Sequence, residues 1–331
     1  MSLRRKRVLV TGGAGFIGSH LVRRLLAERA DVTVQLKYNS VVDAIRLAPV
    51  WRDVRTLEAD LRNPDSLNQI RTLAPELIYH LAAYNHVGDS FLHVAEALDS
   101  NAKGSANLLE AYEDYERFVY VSTSEVYGYQ TNVPFHEEMT PAPLSPYAVG
   151  KYGGELFARL KWRSLRRPVV VLRPFNAFGP YQSARAVVAE TIITCLRGDE
   201  LVTTSATQTR DFNYVENLVD AFVAVGTMAG IEGQTFNVGS GEEISIRDLV
   251  HRIRDLCGST TTIRVGGLPD RDGEIPRMCA DSTKARQVLS WAPRTDLDTG
   301  LGRTIAWYRD YLDVLHSPDS ALWRLGLGVG R

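Results

Sequence analysis

The sequence predicts an α/β fold: a doubly wound parallel sheet with a smaller α/β lobe towards the C-terminus. Three observations carry this expectation. A short apolar run, residues 7–11, ends in Gly12-Gly13-Ala14-Gly15-Phe16-Ile17-Gly18 and passes directly into a helical period. Apolar strand-like runs then alternate with helical segments as far as Leu172, the pattern of βαβ units in a parallel sheet. From Arg173 to Tyr181 the chain is punctuated by proline and glycine, and beyond it the alternation loosens. The expected division is therefore 1–176 for the first domain and mainly 177–331 for the lobe, with a strand near 235–239 returning to the first sheet.

In order, residues 19–30 place Leu21, Val22, Leu25 and Leu26 on one helical face and Arg23, Arg24 and Glu28 on the other. A glycine loop between a strand and a helix allows a tight turn and close backbone approach, and the helix start then meets a pyrophosphate. Gly12, Gly15, Phe16, Ile17 and Gly18 are the dinucleotide-binding candidates. The second strand, 32–36, lacks at its end the acidic residue that bonds the adenosine ribose of NAD. Lys37-Tyr38-Asn39-Ser40 stands there instead, so Lys37, Asn39 and Ser40 tilt the expectation from NAD towards NADP. Strand 54–59 closes in Asp60-Leu61, expected at the adenine edge. Strand 77–83 ends in Leu81-Ala82-Ala83, small enough for backbone to approach a diphosphate. His86 follows in a loop, as a packing or substrate-edge residue. Residues 94–112 read as one long helix interrupted only in polarity, by Asn101 and Asn107.

The strand 117–121 presents Ser122-Thr123-Ser124-Glu125 at its end, and Ser145-Pro146 then opens a helix. Tyr147 and Lys151 lie four apart on one face of that helix. A phenol ionises near ~10, and one neighbouring cation lowers this by about 1–3. Lys151 therefore needs help from a second positive charge, such as an oxidised nicotinamide ring, to make Tyr147 a base at neutral pH. Later helices are expected at 216–228, 245–257, 281–289 and 297–312, with Arg271-Asp272-Gly273-Glu274 in a loop between them.

Composition narrows the function. With 331 residues, 44% hydrophobic and 23% charged, and a net charge of -1, the chain is not built for nucleic acid or a membrane surface. Cys195, Cys257 and Cys279 form an odd, dispersed set without Cys-x-x-Cys, which suits a reducing cytoplasm. Seven histidines occur without His-Glu-x-x-His, so no metal is expected. No apolar run reaches the ~18–20 residues that span a bilayer.

Together these residues resemble the extended short-chain dehydrogenase/reductase family, in particular its nucleotide-sugar epimerases and dehydratases. The resemblance covers nearly the whole chain. It rests on the 11–18 glycine loop, His80-Leu81-Ala82-Ala83, Ser122-Thr123-Ser124-Glu125-Val126-Tyr127-Gly128, Tyr147 with Lys151, Arg173-Pro174-Phe175-Asn176, Arg210-Asp211-Phe212 and the 271–274 loop. It implies a Rossmann-type domain with tightly bound NAD(P), a lobe that grips a nucleoside diphosphate sugar, and a homodimer formed through helices flanking the sheet. Asn176, Arg210 and Arg271 match positions near the diphosphate or nucleotide, where a guanidinium can fork onto phosphate oxygens. Arg185 is a phosphate contact or, in a decarboxylase, a carboxylate clamp.

Within the family, Thr123, Tyr147 and Lys151 serve oxidation at C4, and Glu125 is placed as the base that a 4,6-dehydratase needs at C5. Ser124 stands where glucose-type dehydratases have an aspartic acid for the leaving C6 hydroxyl, a departure shared with mannose-type dehydratases. The resemblance thus implies a 4,6-dehydratase, with a 4-epimerase or a UDP-glucuronate decarboxylase as rivals and a non-catalytic cofactor-binding regulator as a remote one. The sugar and base stay open. Residues 183–187 with 209–214 resemble dehydratases acting on nucleotide-linked N-acetylglucosamine.

Overall fold

The computed structural model describes residues 2–38, 45–270 and 273–316. Its main sheet has seven strands: β1 (Arg7–Thr11), β2 (Asp31–Leu36), β3 (Arg55–Glu58), β4 (Leu77–His80), β5 (Arg117–Val121), β6 (Val169–Pro174) and β7 (Thr235–Val238). They run in the order β7-β6-β5-β4-β1-β2-β3, every neighbouring pair parallel. Residues on alternate sides of each strand feed two separate cores. Val8, Val10, Val32, Val34 and Tyr79 pack against Leu21, Val22 and Leu25 of helix α1 (Phe16–Ala27) and against Leu218, Phe222 and Val225. Leu9, Ile78, Phe118 and Tyr120 point the other way, onto Leu108, Leu109 and Ala158. Each such side chain, wholly buried, contributes about 1.5–3 kcal/mol. Burial on both sides is why these strands are nearly continuous apolar runs.

The order reverses between β1 and β4, because the chain first builds outwards to β3 and then crosses back. That reversal opens a crevice at the carboxyl ends of the strands, where ligands of such sheets bind. β7 lies beside β6 with Phe236 opposite Leu172, although it comes from the later half of the chain. Helix α1 begins at Phe16, earlier than the periodicity suggests, because Gly15 already adopts the extended cap conformation.

One element differs from its expectation. The helix read as continuous over 94–112 is three pieces: Val94–Leu98, a π-turn at Asp99–Lys103, and Gly104–Ala111. The extra residue of the π-turn aims Asn101 at the backbone of Tyr84, whose N–H and carbonyl it pairs at 2.7 and 3.0 Å. Helix α2 (Pro146–Leu165) packs closely on this region, with Gly150 and Gly154 facing Asn101 and Ser105.

The lobe builds its own core from Phe178, Val188, Ile192, Phe212, Tyr214, Leu249, Ile253, Leu301 and Ile305. A smaller apolar cluster brings Val126, Tyr127, Phe135 and Phe175 together with Ile275 and Met278. Asp211 ties its loops: its carboxylate accepts from the N–H groups of Ser240, Gly241 and Ala280 and from the Ser240 hydroxyl. Among the described residues no helix is long and apolar enough to cross a membrane.

Candidate active site

The first wall of the crevice is the glycine loop. Gly12 has φ +68°, and a Cβ there would sit 2.6 Å from the Ala82 nitrogen. A Cβ on Gly18 would lie 2.2 Å from the Gly12 carbonyl oxygen. The turn and its contact with the β4 loop therefore exist only with glycine. Helix α1 has no side-chain cap at Gly15 and no acidic residue in its first turn, so its first N–H groups are left to an anionic ligand. This cradle fits a dinucleotide pyrophosphate. Gly12, Gly15, Phe16, Ile17 and Gly18 form it with Leu81, Ala82 and Ala83, the Leu81 N–H donating to the Thr11 carbonyl at 3.1 Å.

Beneath the cradle runs a directed hydrogen-bond chain. The Ala82 N–H donates to Thr11 Oγ1, whose hydroxyl lies 2.7 Å from His80 Nδ1; His80 Nε2 lies 2.9 Å from Ser105 Oγ, which donates to the Asn101 carbonyl. Because the Ser105 proton goes to Asn101, His80 donates from Nε2 and accepts at Nδ1. Burial drives the His80 pKa down to about 3, helped by the Lys151 charge, so the ring is neutral and its role is to hold the loop.

At the far end of the cradle, Lys37 Nζ lies 3.9 Å from Glu96 Oε1. Asp60 is gripped by Arg62, Nη2 to Oδ2 at 2.6 Å, which holds its carboxyl at about 2. Leu61 is buried, and its carbonyl accepts from Asn107 at 2.9 Å. Arg62 was not singled out from the sequence. Asn39, Ser40 and Arg271 lie outside the described residues.

The turn after β5 and the start of α2 carry the candidate acid–base residues. Thr123 caps a 3₁₀ turn, Ser124–Tyr127, its Oγ1 accepting from the Glu125 N–H at 3.2 Å. This turn brings Glu125, partly exposed, beside Tyr147 at the start of α2; the Tyr147 phenol is hydrogen-bonded to Thr123 and feels the Glu125 charge. Ser145 caps α2 by accepting from the Ala148 N–H at 3.1 Å, so Tyr147 sits in the first turn. Desolvation pushes Tyr147 up to about 12, with Thr123 pulling down and Glu125 pushing up. Lys151 is buried, donates to the Val121 carbonyl at 2.5 Å, and is pushed by desolvation to about 7, opposed by the charge of Glu155. The sequence argument that Lys151 acidifies Tyr147 thus meets a stronger opposing cause here: burial disfavours both ionic forms.

Ser124 does not face the crevice as a free hydroxyl. It is buried and donates to Met278 Sδ at 3.0 Å. His86 and Arg185, far apart in sequence, meet on Asp89. His86 Nδ1 accepts from the Asp89 N–H at 3.0 Å, and Arg185 forks onto the Asp89 carboxylate at 2.8 and 3.0 Å. Asn176, partly exposed, is held in a two-stranded ribbon opposite Phe212. Arg210 is buried, with Nη1 donating to the Thr209 and Ile275 carbonyls at 2.7 and 2.8 Å and Nη2 paired with Glu274. It fastens the 274–278 segment, so its fork is engaged within the protein.

This geometry has close counterparts. The family model for GDP-mannose 4,6 dehydratase matches residues 9–304. The chain is 34% identical to a dTDP-glucose 4,6-dehydratase of Streptomyces niveus, covering 95% of this chain and 97% of that one. It is 33% identical to a UDP-glucose 4-epimerase of Mycolicibacterium smegmatis, covering 92% and 99%. Among solved structures it is similar to a dTDP-glucose 4,6-dehydratase from Streptomyces venezuelae with NAD and TYD bound, at TM-score 0.85 and 32% identity over 92% of this chain and 97% of that one.

Proposed function

The chain belongs to the GDP-mannose 4,6-dehydratase family of extended short-chain dehydrogenase/reductases, and from that premise we propose that it is an NAD(P)-dependent hydro-lyase. Its reaction converts a nucleoside diphosphate hexose into the 4-keto-6-deoxy sugar. The observation that carries this reading is Glu125, presented by the 3₁₀ turn beside Tyr147 and partly open to the crevice. A 4-epimerase has no use for a second base at this place; a dehydratase must take a proton from C5.

The glycine loop and the Leu81–Ala83 segment would hold the dinucleotide, whose nicotinamide would supply a hydride acceptor for C4, a hydride donor for C6 and a positive charge. Tyr147 receives the C4 hydroxyl proton, with Thr123 holding the phenol and Lys151 stabilising the phenolate. Glu125 then removes the C5 proton, which the C4 ketone has acidified. Because the Ser124 hydroxyl is committed to Met278, the proton for the departing C6 hydroxyl comes from Glu125 or an ordered water. As hydride reaches C6, C5 is reprotonated and Tyr147 releases the proton it took from the C4 hydroxyl, so that one water is lost overall. A decarboxylase reading would use Arg185 as a carboxylate clamp, but its fork is occupied by Asp89. Asn176, partly exposed beside Phe212, is a candidate substrate contact whose side chain has no charged partner among the described residues.

Lys37 and Arg62 give the adenosine end two cations where NAD-preferring relatives keep a carboxylate, which supports acceptance of NADP, with Asp60 and Glu96 as counter-charges. Outward Val149, Leu156 and Leu160 on α2, with Phe91 and Leu92, are exposed apolar groups that support a homodimer through this face. Three unpaired cysteines fit a reducing cytoplasm.

Incubation with a panel of nucleotide sugars and mass spectrometry of the products tests the reading and names the donor. Loss of one water is expected, and Glu125→Gln should abolish it while leaving cofactor binding intact. Unchanged mass, loss of carbon dioxide, or undiminished water loss by Glu125→Gln would each overturn the assignment.

A further inference from the structure

The first half of α2 carries Tyr147, Lys151 and Glu155 at successive intervals of four, on one face. The first two are the acid–base pair. The third has no place in the chemistry, yet it is wholly buried, and it meets Arg173, also buried, in a forked ion pair with Nη2 to Oε1 at 2.6 Å and Nε to Oε2 at 3.1 Å. The same Oε2 accepts from Ser122 Oγ at 2.7 Å. Ser122 immediately precedes Thr123 at the end of β5, and Arg173 lies three residues before Asn176. One carboxylate therefore joins α2, β5 and β6. A buried pair of this kind is poor evidence of stability by itself, since desolvation consumes most of its attraction.

We propose that Glu155 is a positioning residue for the Tyr147–Lys151 pair: its carboxylate fixes the strand end bearing Thr123 against α2 and sets a negative charge behind Lys151. This rests on the reading of Tyr147 as the acid–base residue. The other groups facing the pair do not supply that charge. His80 from β4 and Tyr120 from β5, the latter 4.9 Å from Lys151 Nζ by its ring, are held neutral by burial. Glu125, from the turn after β5, acts on Tyr147. Around Glu155 itself stand Arg173, Arg159 and the Tyr127 ring under the Arg173 guanidinium, with Lys284 acting on Arg173 from further off. Glu155 is the carboxylate whose charge reaches Lys151.

The test needs no sugar. In the NAD+-loaded protein, the ultraviolet tyrosinate difference between the parent and Tyr147→Phe is followed against pH, which isolates this phenol from the other tyrosines. Glu155→Gln should still bind the cofactor and move the tyrosinate midpoint upward by about one pH unit, the low end of what a lost neighbouring charge does. Glu155→Asp should recover most of that displacement. An unmoved midpoint in folded, loaded Glu155→Gln would overturn the proposal and leave the carboxylate a structural brace. If Glu155→Gln fails to fold because it strands Arg173, Ser122→Ala keeps the ion pair but cuts the carboxylate from the end of β5, and it should also move the midpoint upward by loosening Thr123; an unmoved midpoint there overturns the proposal equally. Because the readout is the phenol alone, an incorrect sugar assignment would show in the product panel and leave this titration standing.

Discussion

At the scale of single residues, the site is governed by what burial does to charge. Tyr147 and Lys151 both sit where desolvation favours the neutral form, about 12 for the phenol and about 7 for the amine. The protein without cofactor therefore holds the phenol unionised and Lys151 close to its titration point, and base chemistry is expected to wait on positive charge arriving with the ligand. His80 shows the same force in a purely structural role. Its pKa is lowered from 6.5 to about 3, so the folded protein binds no proton there while the unfolded chain does so below 6.5. More protons on the unfolded state mean that stability rises with pH, and His80's contribution is lost as pH falls from 6.5 towards 3. His80→Gln, which keeps a donor and an acceptor, should flatten urea-unfolding stability against pH in that window. The slopes of the two curves should differ by up to about 1.4 kcal/mol per pH unit in the middle of that window; parallel curves for the two proteins would refute it.

At the scale of elements, the π-turn at Asp99–Lys103 is the device that couples the loop after β4 to helix α2. It sends Asn101 to both backbone groups of Tyr84, two residues past Ala82, and to the Tyr147 carbonyl at 3.5 Å. Asn101→Ala leaves the Tyr84 N–H and carbonyl without these partners, and each such loss costs about 1–3 kcal/mol when water cannot replace it. Partial solvent access sets the expectation near the bottom of the summed range, about 2 kcal/mol in urea unfolding, with weaker NAD binding by titration. Full stability with undiminished affinity would show that the turn is incidental. From sequence, Asn101 is a polar interruption of an apolar helix, and nothing in a helical period announces one extra residue per turn.

At the scale of the whole molecule, α2 works on both of its faces. Inward it carries Tyr147, Lys151 and Glu155; outward it shows Val149, Leu156 and Leu160, each close to half exposed. An apolar stripe of this kind on a helix that also bears the site is where a second copy is expected to pack. Leu156→Glu should turn a dimer into a monomer in sedimentation while barely altering monomer stability, because the side chain is already solvated in the single chain. A dimer that survives this change would move the interface elsewhere.

The sequence by itself determined the parallel sheet, the glycine turn between β1 and α1, and the placement of Tyr147 and Lys151 four apart on one helix. These rest on local regularities: apolar runs between helical periods, glycines where no Cβ fits, and residues four apart on one helix. Tertiary structure alone decided what each charged group faces. Arg210 reads as a phosphate fork and is spent on Glu274, Arg185 reads as a clamp and meets Asp89, and Ser124 reads as part of the reactive triplet and bonds Met278. Glu155 and Arg173 are eighteen residues apart, and Ser124 and Met278 one hundred and fifty-four. Ion pairs and desolvation depend on through-space distance and on exclusion of water, and neither quantity is written in the spacing along a chain.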